Sequence, residues 1–297
     1  MKQIQVLLAT DRHCVWGCAV TMRSMLDNTG PDASLQFHVA MSDLPESDRA
    51  ALAQVVGDEA SLRLVPFAPE RVRHLLRSRL ITHMSYARLF MGEILPQQAS
   101  RVIYVDCDLL FERSAAELWN MDLGQATLGA ADNRFWEDSS RHQARLGLVE
   151  ARYFSAGVLL VDLDRWRAIH GGARALRFAE KAGQRLILHD QDALNGAFHN
   201  DWTELPMHWN TWTIHPHLHQ DSRAVFHFMG APKPWDADYS GRFADKFYSY
   251  LDRTPYRGLR PWNPAGLGKF GRKLRRRIPY IPSVLRVART SFPTPSS

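Results

Sequence analysis

Residues 102–111 read Val-Ile-Tyr-Val-Asp-Cys-Asp-Leu-Leu-Phe, so an apolar run delivers two carboxylates one residue apart and then becomes apolar again. In an extended chain successive side chains alternate faces, which would put Asp106 and Asp108 on one face and Cys107 on the other. Two neighbouring carboxylates repel each other unless a proton or a cation joins them, and an all-oxygen pair suits a hard divalent ion such as Mn2+ or Mg2+. A solvated acidic turn after a buried strand fits the same ten residues, so other parts of the chain must distinguish the two interpretations.

Apolar segments of two kinds alternate along the rest of the chain. Short β-branched runs predict strands, and runs with apolar positions at helical spacing predict helices. The predicted strands are 3–10, 35–41, 61–66, the Asp-x-Asp run 102–111, 126–131, 153–161 and 224–228, and the predicted helices are 15–27, 44–56, 85–95, 163–169 and 190–199. This alternation predicts an α/β fold with a mostly parallel sheet.

Polar residues concentrate where these strands end. In an open α/β sheet, ligands bind outside the carboxyl ends of the strands. The residues at or near such ends are Thr10, Asp11, Asp106, Asp108, Asp132 and His227. The chain has no Gly-x-Gly-x-x-Gly or P-loop sequence, so acidic groups with a metal, rather than a glycine cradle, are expected to hold any phosphates.

Composition limits the class of protein. The 297 residues suffice for one large α/β domain or two small ones, and no apolar stretch reaches the roughly 18 to 20 residues that span a bilayer. The first residues do not resemble a secretory signal, and three cysteines do not suggest a disulfide framework. We therefore expect a cytoplasmic protein, with Cys14 and Cys18 as small core residues.

The positive charge is concentrated at the carboxyl terminus. Residues 254–297 contain ten Lys or Arg and no acidic residue, whereas residues 1–253 hold 27 basic against 31 acidic residues. Six of the cations lie within 269–277, near Trp262, Phe270 and Tyr280. Cations interleaved with aromatic residues suit an anionic membrane surface, and a disordered solubilising tail is the alternative. A nucleic-acid partner is not expected, because no nucleic-acid module accompanies the cluster.

Five segments in a fixed order carry a family resemblance. They are Ser-Tyr-Ala-Arg-Leu at 85–89, the Asp-Cys-Asp run at 102–111, Tyr-Phe-Ser-Ala-Gly-Val-Leu-Leu at 153–160, His-Asp-Gln-Asp-Ala-Leu-Asn at 189–195, and His-Phe-Met-Gly-Ala-Pro-Lys-Pro-Trp at 227–235. Together they resemble the bacterial branch of glycosyltransferase family 8, which includes the lipopolysaccharide α-galactosyl- and α-glucosyltransferases. The resemblance runs from about residue 3 to residue 250.

The resemblance implies a GT-A (Rossmann-like) domain over residues 1–253, with 254–297 as a basic appendage. It also implies a UDP-hexose donor, Mn2+ or Mg2+, and retention of anomeric configuration. Asp106, Asp108 and His227 would hold the metal, which would bridge the donor's two phosphates. Gly230 would let backbone approach phosphate, and Lys233 would place a positive charge at the leaving diphosphate.

The sugar chemistry is expected at Asp190 and Gln191, which by resemblance lie under the β-face of the donor sugar. Asp190 alone could equally be a helix N-cap. If the enzyme uses a covalent intermediate, one of the two is the nucleophile. If attack occurs on the front face, both stabilise an oxocarbenium-like transition state, and the sequence leaves this choice open.

Further positions complete the expected site. Arg88 would reach the donor sugar or diphosphate, Asp132 would bind sugar hydroxyls, and Asn210 would line the acceptor side. The remaining expected donor contacts are Leu8, Thr10, Asp11, Cys107, Ser155 and Ala156. The chain departs from the family where Ser155 replaces the usual asparagine and where His13 and Cys14 stand near an expected tyrosine.

These residues favour a metal-dependent retaining hexosyltransferase that acts on a glycolipid at the inner face of the cytoplasmic membrane. A metal-dependent phosphohydrolase or nucleotidyltransferase is the second hypothesis, and a non-catalytic nucleotide-sugar-binding protein is the third. His208, His215, His217 and His219 could form a second metal site, but their irregular spacing favours a loop on the acceptor side.

Overall fold

A computed structural model describes residues 2–77, 82–133, 139–148, 152–214 and 223–261. The basic cluster at 269–277 lies outside the described residues, as do His215, His217 and His219. Within the described residues, no helix combines the length and the hydropathy needed to cross a bilayer.

A seven-stranded sheet forms the centre of the domain and confirms the mostly parallel α/β prediction. Its strands are β1 (Lys2–Asp11), β2 (Ala33–Ser42), β3 (Ser61–Pro66), β4 (Arg101–Val105), β6 (Leu128–Asp132), β7 (Phe154–Asp162) and β8 (Trp202–Leu205), in the order β3-β2-β1-β4-β7-β6-β8. Strand β7 runs antiparallel to both of its neighbours, and the other pairs are parallel.

Helices cover both faces of this sheet. They are α1 (Val15–Asn28), α2 (Glu46–Val56), α3 (Met91–Ile94), α4 (Ala115–Trp119), α5 (Ser139–Leu146), α6 (Leu163–Ala168), α7 (Gly171–Ala182), α8 (Asp190–Phe198) and α9 (Ala244–Leu251). Alternate residues of β1 supply two cores: Val6 and Leu8 pack with α1, α2 and α9, and Leu7 packs with α6, α7 and α8. Both faces of β1 are buried, as expected for a strand inside a parallel sheet.

A second, three-stranded sheet was not predicted as a unit. It contains β5 (Leu109–Phe111), β10 (Val225–His227) and β9 (Thr211–Trp212), in the order β5-β10-β9. Strand β10 pairs antiparallel with β5, and His227 lies opposite Leu109. Because Leu109 directly follows Asp108, this register brings His227 to the Asp-Cys-Asp sequence.

Helix α1 supports the chain from Cys107 to Phe111. The Thr21 hydroxyl donates to the Leu109 carbonyl at 2.8 Å and accepts from the Leu109 amide at 3.2 Å. The Ser24 hydroxyl accepts from the Phe111 amide at 3.0 Å. At Gly17 a Cβ would lie 2.3 Å from the Cys107 carbonyl oxygen, so only glycine allows this close packing.

Residues 106–108 form a turn between β4 and β5, and the extended conformation expected for them is wrong. The helix expected over 85–95 also differs, because His83–Phe90 is a 3-10 helix that continues into α3. Residues three apart align in a 3-10 helix, and here the Arg88 Nε donates to the Ser85 carbonyl at 3.1 Å.

The folded domain extends beyond the predicted boundary at residue 253. Tyr256 is buried in the core that contains α1 and α9, and its hydroxyl donates to Asp48 at 2.9 Å. Arg260 pairs with Asp252 at 2.7 Å. The described contacts of the domain therefore continue to residue 260, and the basic appendage beyond them stays a prediction.

Replacing Thr21 by Val tests the support that α1 provides. Val keeps the side-chain shape but leaves the buried Leu109 amide and carbonyl without their partner, so we expect the free energy of unfolding to fall by about 2 kcal/mol. Urea denaturation measures this change. Ser249→Ala, which removes an exposed hydroxyl, is the control, and equal stability of Thr21→Val and wild type would contradict the assignment.

Candidate active site

Asp106, Asp108 and His227 meet at the carboxyl edge of β4, as the sequence predicts. One ligand atom from each residue lies within 4.8 Å of the other two. His227 Nε2 is 3.2 Å from Asp108 Oδ1 and 3.9 Å from Asp106 Oδ2. No other group of three such side chains is found among the residues that the structure describes.

The other ring nitrogen of His227 fixes the orientation of the imidazole. Nδ1 lies 2.8 Å from Asn210 Oδ1, and the Asn210 amide nitrogen donates to the Ser155 hydroxyl at 3.0 Å. Because Asn210 presents an oxygen, Nδ1 donates the hydrogen bond to it, and Nε2 faces the two carboxylates. Such an arrangement is stable when a cation or a further proton lies between the three groups.

Asn210 therefore does not line an acceptor side, contrary to the sequence-based expectation. It is completely buried and lies behind His227. Ser155, with which it bonds, is also buried and is one step removed from the carboxylates.

Gly157 makes room for the His227 ring. A Cβ at this position would lie 2.4 Å from His227 Cε1 and 2.6 Å from His227 Nδ1. The backbone carbonyl of Gly157 also accepts from the Asp106 amide at 2.9 Å. The sequence analysis quoted this glycine within a motif without assigning it this role.

Two carboxylates and an imidazole nitrogen fit Mn2+ better than Ca2+, which takes only oxygen ligands. The bond from His227 Nδ1 to Asn210 is the outer contact that a metal-bound histidine usually makes. The donor set and its buried support therefore fit the metal that the sequence predicts.

Lys233 stabilises the charge on Asp108. Its Nζ contacts the Asp108 carboxylate and donates to the Phe228 carbonyl at 2.6 Å. Burial favours the neutral acid, but Lys233 and His227 outweigh it and hold the pKa of Asp108 below its usual range. The same carboxylate raises the pKa of Lys233 against the effect of burial.

Arg88 joins the metal-site carboxylates to the predicted catalytic pair. Its guanidinium lies 2.6 Å from Asp106 and 2.9 Å from Asp190, and it donates to the Ala156 carbonyl at 2.6 Å. Burial raises the pKa of Asp106, with Asp108 adding to the rise and Arg88 opposing it. Tyr104 donates a further hydrogen bond to Asp106 at 2.8 Å.

Asp190 and Gln191 begin α8 on the other side of Arg88. His189, not Asp190, occupies the N-cap position, so the capping alternative for Asp190 is wrong. The carboxylate that accepts from backbone amides here belongs to Asp192, at 2.7 Å from Ile187 N and 2.8 Å from Leu188 N. The Gln191 Oε1 accepts from the Ala156 amide at 2.9 Å.

The end of β1 borders a separate cleft of about 180 Å3. Asp11, His13 and Thr82 line it, and the Asp11 carboxylate accepts from the His13 amide at 2.8 Å. Thr10 is buried beside it, and the side chain of Leu8 is core, so only its backbone could contact a ligand. Asp132 is buried at the end of β6.

The fold resembles that of solved glycosyltransferases. One is the galactosyltransferase LgtC, solved in complex with donor and acceptor sugar analogues; the TM-score is 0.76, the identity is 26%, and the match covers 89% of this chain and 99% of the other. The domain is accordingly a GT-A glycosyltransferase domain.

The sequence comparison defines the family. Residues 5–238 match the profile of glycosyl transferase family 8, so the chain belongs to that family of enzymes. It is 24% identical to lipopolysaccharide 1,3-galactosyltransferase of Salmonella typhimurium, over 89% of this chain and 82% of the relative. It is 23% identical to the lipopolysaccharide glucosyltransferase WaaO of Escherichia coli, over 78% of this chain and 72% of the relative.

Replacing Gly157 by Ala tests the seat of the His227 ring. The added methyl displaces the imidazole, so we expect the affinity for Mn2+ to fall about tenfold or more, as for other changes behind metal ligands. Titration of Mn2+ by electron paramagnetic resonance measures this affinity. Gly30→Ala, where a Cβ meets nothing within 4 Å, is the control, and unchanged Mn2+ affinity in Gly157→Ala would contradict the assignment.

Proposed function

We propose that the protein is a retaining, metal-dependent hexosyltransferase that moves galactose or glucose from a UDP-sugar to a lipopolysaccharide, a lipooligosaccharide or another glycan. The observation that carries this proposal is the His227 imidazole, held by Asn210 so that Nε2 faces both Asp106 and Asp108. Membership of the family and the names of its relatives support the sugar chemistry.

The proposed ion is Mn2+ or Mg2+, held by Asp106, Asp108 and His227. When bound, it would offset negative charge on the diphosphate as the sugar–phosphate bond breaks. Lys233 is well situated to add positive charge to the same leaving group, because it already contacts Asp108. At Gly230 φ is +73°, a conformation that favours glycine and leaves backbone exposed to a phosphate.

Asp190 and Gln191 are the proposed catalytic residues. In the net reaction the bond between the sugar C1 and the diphosphate oxygen breaks and UDP leaves with its electron pair. The acceptor oxygen bonds to C1, and its proton passes to the departing diphosphate or to water. Arg88 contacts both Asp106 and Asp190. It would therefore hold the Asp190 carboxylate, proposed to face the sugar, at a fixed distance from Asp106 on the diphosphate side. The Ala156 amide donates to Gln191, and the Ser155 hydroxyl accepts from Asn210, so both residues lie next to this region.

The nucleoside is proposed to occupy the cleft at the end of β1. Asp11 and Thr10 offer a carboxylate and backbone groups near this cleft, together with the backbone of Leu8. Cys107 lies in the turn between the two proposed metal ligands. Asp132 ends β6, where it is proposed to bind sugar hydroxyls.

The acceptor is proposed to be a glycolipid, because two relatives are named for lipopolysaccharide. The enzyme would then work at the inner face of the cytoplasmic membrane. Residues beyond 261 carry eight Lys or Arg and no acidic residue, which suits anionic headgroups at about 1 kcal/mol per cation near the surface.

The activity is tested by measuring UDP release from UDP-galactose and UDP-glucose with lipooligosaccharide fragments and Mn2+. Asp108→Asn should reduce transfer about a thousandfold while the protein stays folded, because it removes a metal ligand that supports several kcal/mol of charge stabilisation. EDTA should have a similar effect on the wild type. Nuclear magnetic resonance of the product should show the anomeric configuration of the donor.

Asp58→Asn, in an exposed turn, is the matched control and should retain wild-type activity. Full activity of Asp108→Asn in EDTA would refute the metal assignment. Release of inorganic phosphate without sugar transfer would favour a phosphohydrolase, and binding of UDP-sugar without turnover would favour a non-catalytic protein.

A variant that ends at residue 261 tests the membrane proposal. We expect it to lose binding to vesicles containing phosphatidylglycerol, because the eight cations are gone, and to keep its activity on a soluble acceptor. Vesicle sedimentation measures the binding, with neutral phosphatidylcholine vesicles as the control. Equal binding of the full chain and the shortened chain to anionic vesicles would overturn this proposal.

A further inference from the structure

Tyr153 connects Gln191 to the buried Asp192. Its hydroxyl donates to Asp192 Oδ1 at 2.5 Å and accepts from Gln191 Nε2 at 3.3 Å. The other end of the Gln191 amide, Oε1, accepts from the Ala156 amide at 2.9 Å. Both ends of the Gln191 side chain are therefore bonded to the segment around the start of β7.

The direction of these bonds fixes which way the Gln191 amide faces. Burial and the Asp192 carboxylate raise the pKa of Tyr153 well above its usual value, so the hydroxyl keeps its proton at neutral pH. A carboxylate only accepts hydrogen bonds, so the single phenol proton lies on the bond to Asp192. The Tyr153 oxygen then accepts from Gln191, which directs Nε2 towards Tyr153 and Oε1 towards Ala156.

Asp192 is a firm anchor for this arrangement. It is completely buried and accepts from four groups on three parts of the chain. Besides Tyr153, these are His142 Nε2 on α5 at 2.6 Å and the backbone amides of Ile187 and Leu188. Bonds to a charged acceptor are stronger than bonds between neutral groups, so the Asp192 side chain has little freedom.

We propose that Tyr153, anchored on Asp192, is a positioning residue that orients the Gln191 side chain for the sugar chemistry. This inference rests on the proposed function, in which Gln191 faces the donor hexose. Tyr153 acts through Gln191 and has no contact with the sugar. His142 supports the arrangement from the far side of Asp192.

The test is a double-mutant cycle with Tyr153→Phe and Gln191→Ala. Phe keeps the ring but removes the oxygen, so we expect kcat to fall about tenfold, in line with the cost of small misplacements in an active site. KM for the UDP-hexose should change less than about twofold. In the Gln191→Ala background, Tyr153→Phe should lower kcat less than about twofold, because coupled residues are not additive. A tenfold effect in both backgrounds, or no effect in either, would overturn the inference.

Tyr250→Phe is the matched control. Tyr250 is also a buried tyrosine bonded to a carboxylate, that of Glu112. Its hydroxyl also contacts Asn28, the last residue of α1. We expect this variant to lose some stability and to retain wild-type kcat. A tenfold fall in its kcat would mean that the Tyr153 effect is general destabilisation and would count against the inference.

A measurement without turnover separates this inference from the proposed function. In protein labelled with 15N-glutamine, the side-chain NH2 signals of Gln191 are assigned by their loss in Gln191→Ala. We expect slow hydrogen exchange of these protons in the wild type and fast exchange in Tyr153→Phe. Equal exchange in both proteins refutes the positioning role, whereas absence of sugar transfer by the wild type refutes only the proposed function.

Discussion

The active site depends on the compensation of closely spaced negative charge. Asp108 and Asp190 are buried and Asp106 is partly buried beside them, and carboxylates at such short range repel each other more strongly away from bulk water. Arg88 bonds to Asp106 and Asp190, while Lys233 and His227 contact Asp108. Through these contacts four parts of the chain meet: the turn after β4, strand β10, the 3-10 helix His83–Phe90 and the start of α8.

The compensation also divides the site into two halves. Asp108, His227 and Lys233 form the half suited to a cation and a diphosphate, and Gly157 and Asn210 support it through the imidazole. Asp190 and Gln191, at the start of α8, form the half that is proposed to face the sugar. Arg88 bonds to a carboxylate on each side and so links the two halves.

Local patterns predicted most of the fold and the side chains that meet at the edge of β4, but not the contacts between distant segments. Alternation of strands and helices was enough for the parallel sheet, and the Asp-Cys-Asp run was enough for the two carboxylates. The turn at 106–108 depends on Gly17 and Thr21, about ninety residues away, so the extended conformation was a reasonable but wrong local expectation. The sequence did not reveal the bond from Asn210 to His227, because it depends on the pairing of β9, which follows Asn210, with β10, and no local pattern shows that pairing.

The central claim is that Asp106, Asp108 and His227 hold a divalent ion against the donor diphosphate. Electron–nuclear double resonance of bound Mn2+ tests it most directly, in protein labelled with 15N at the histidine rings and mixed with UDP. The account predicts coupling of Mn2+ to one histidine nitrogen, lost in His227→Asn, together with coupling to 31P of UDP. Coupling to 31P with no histidine nitrogen would contradict it, because the ion would then be bound by the nucleotide alone.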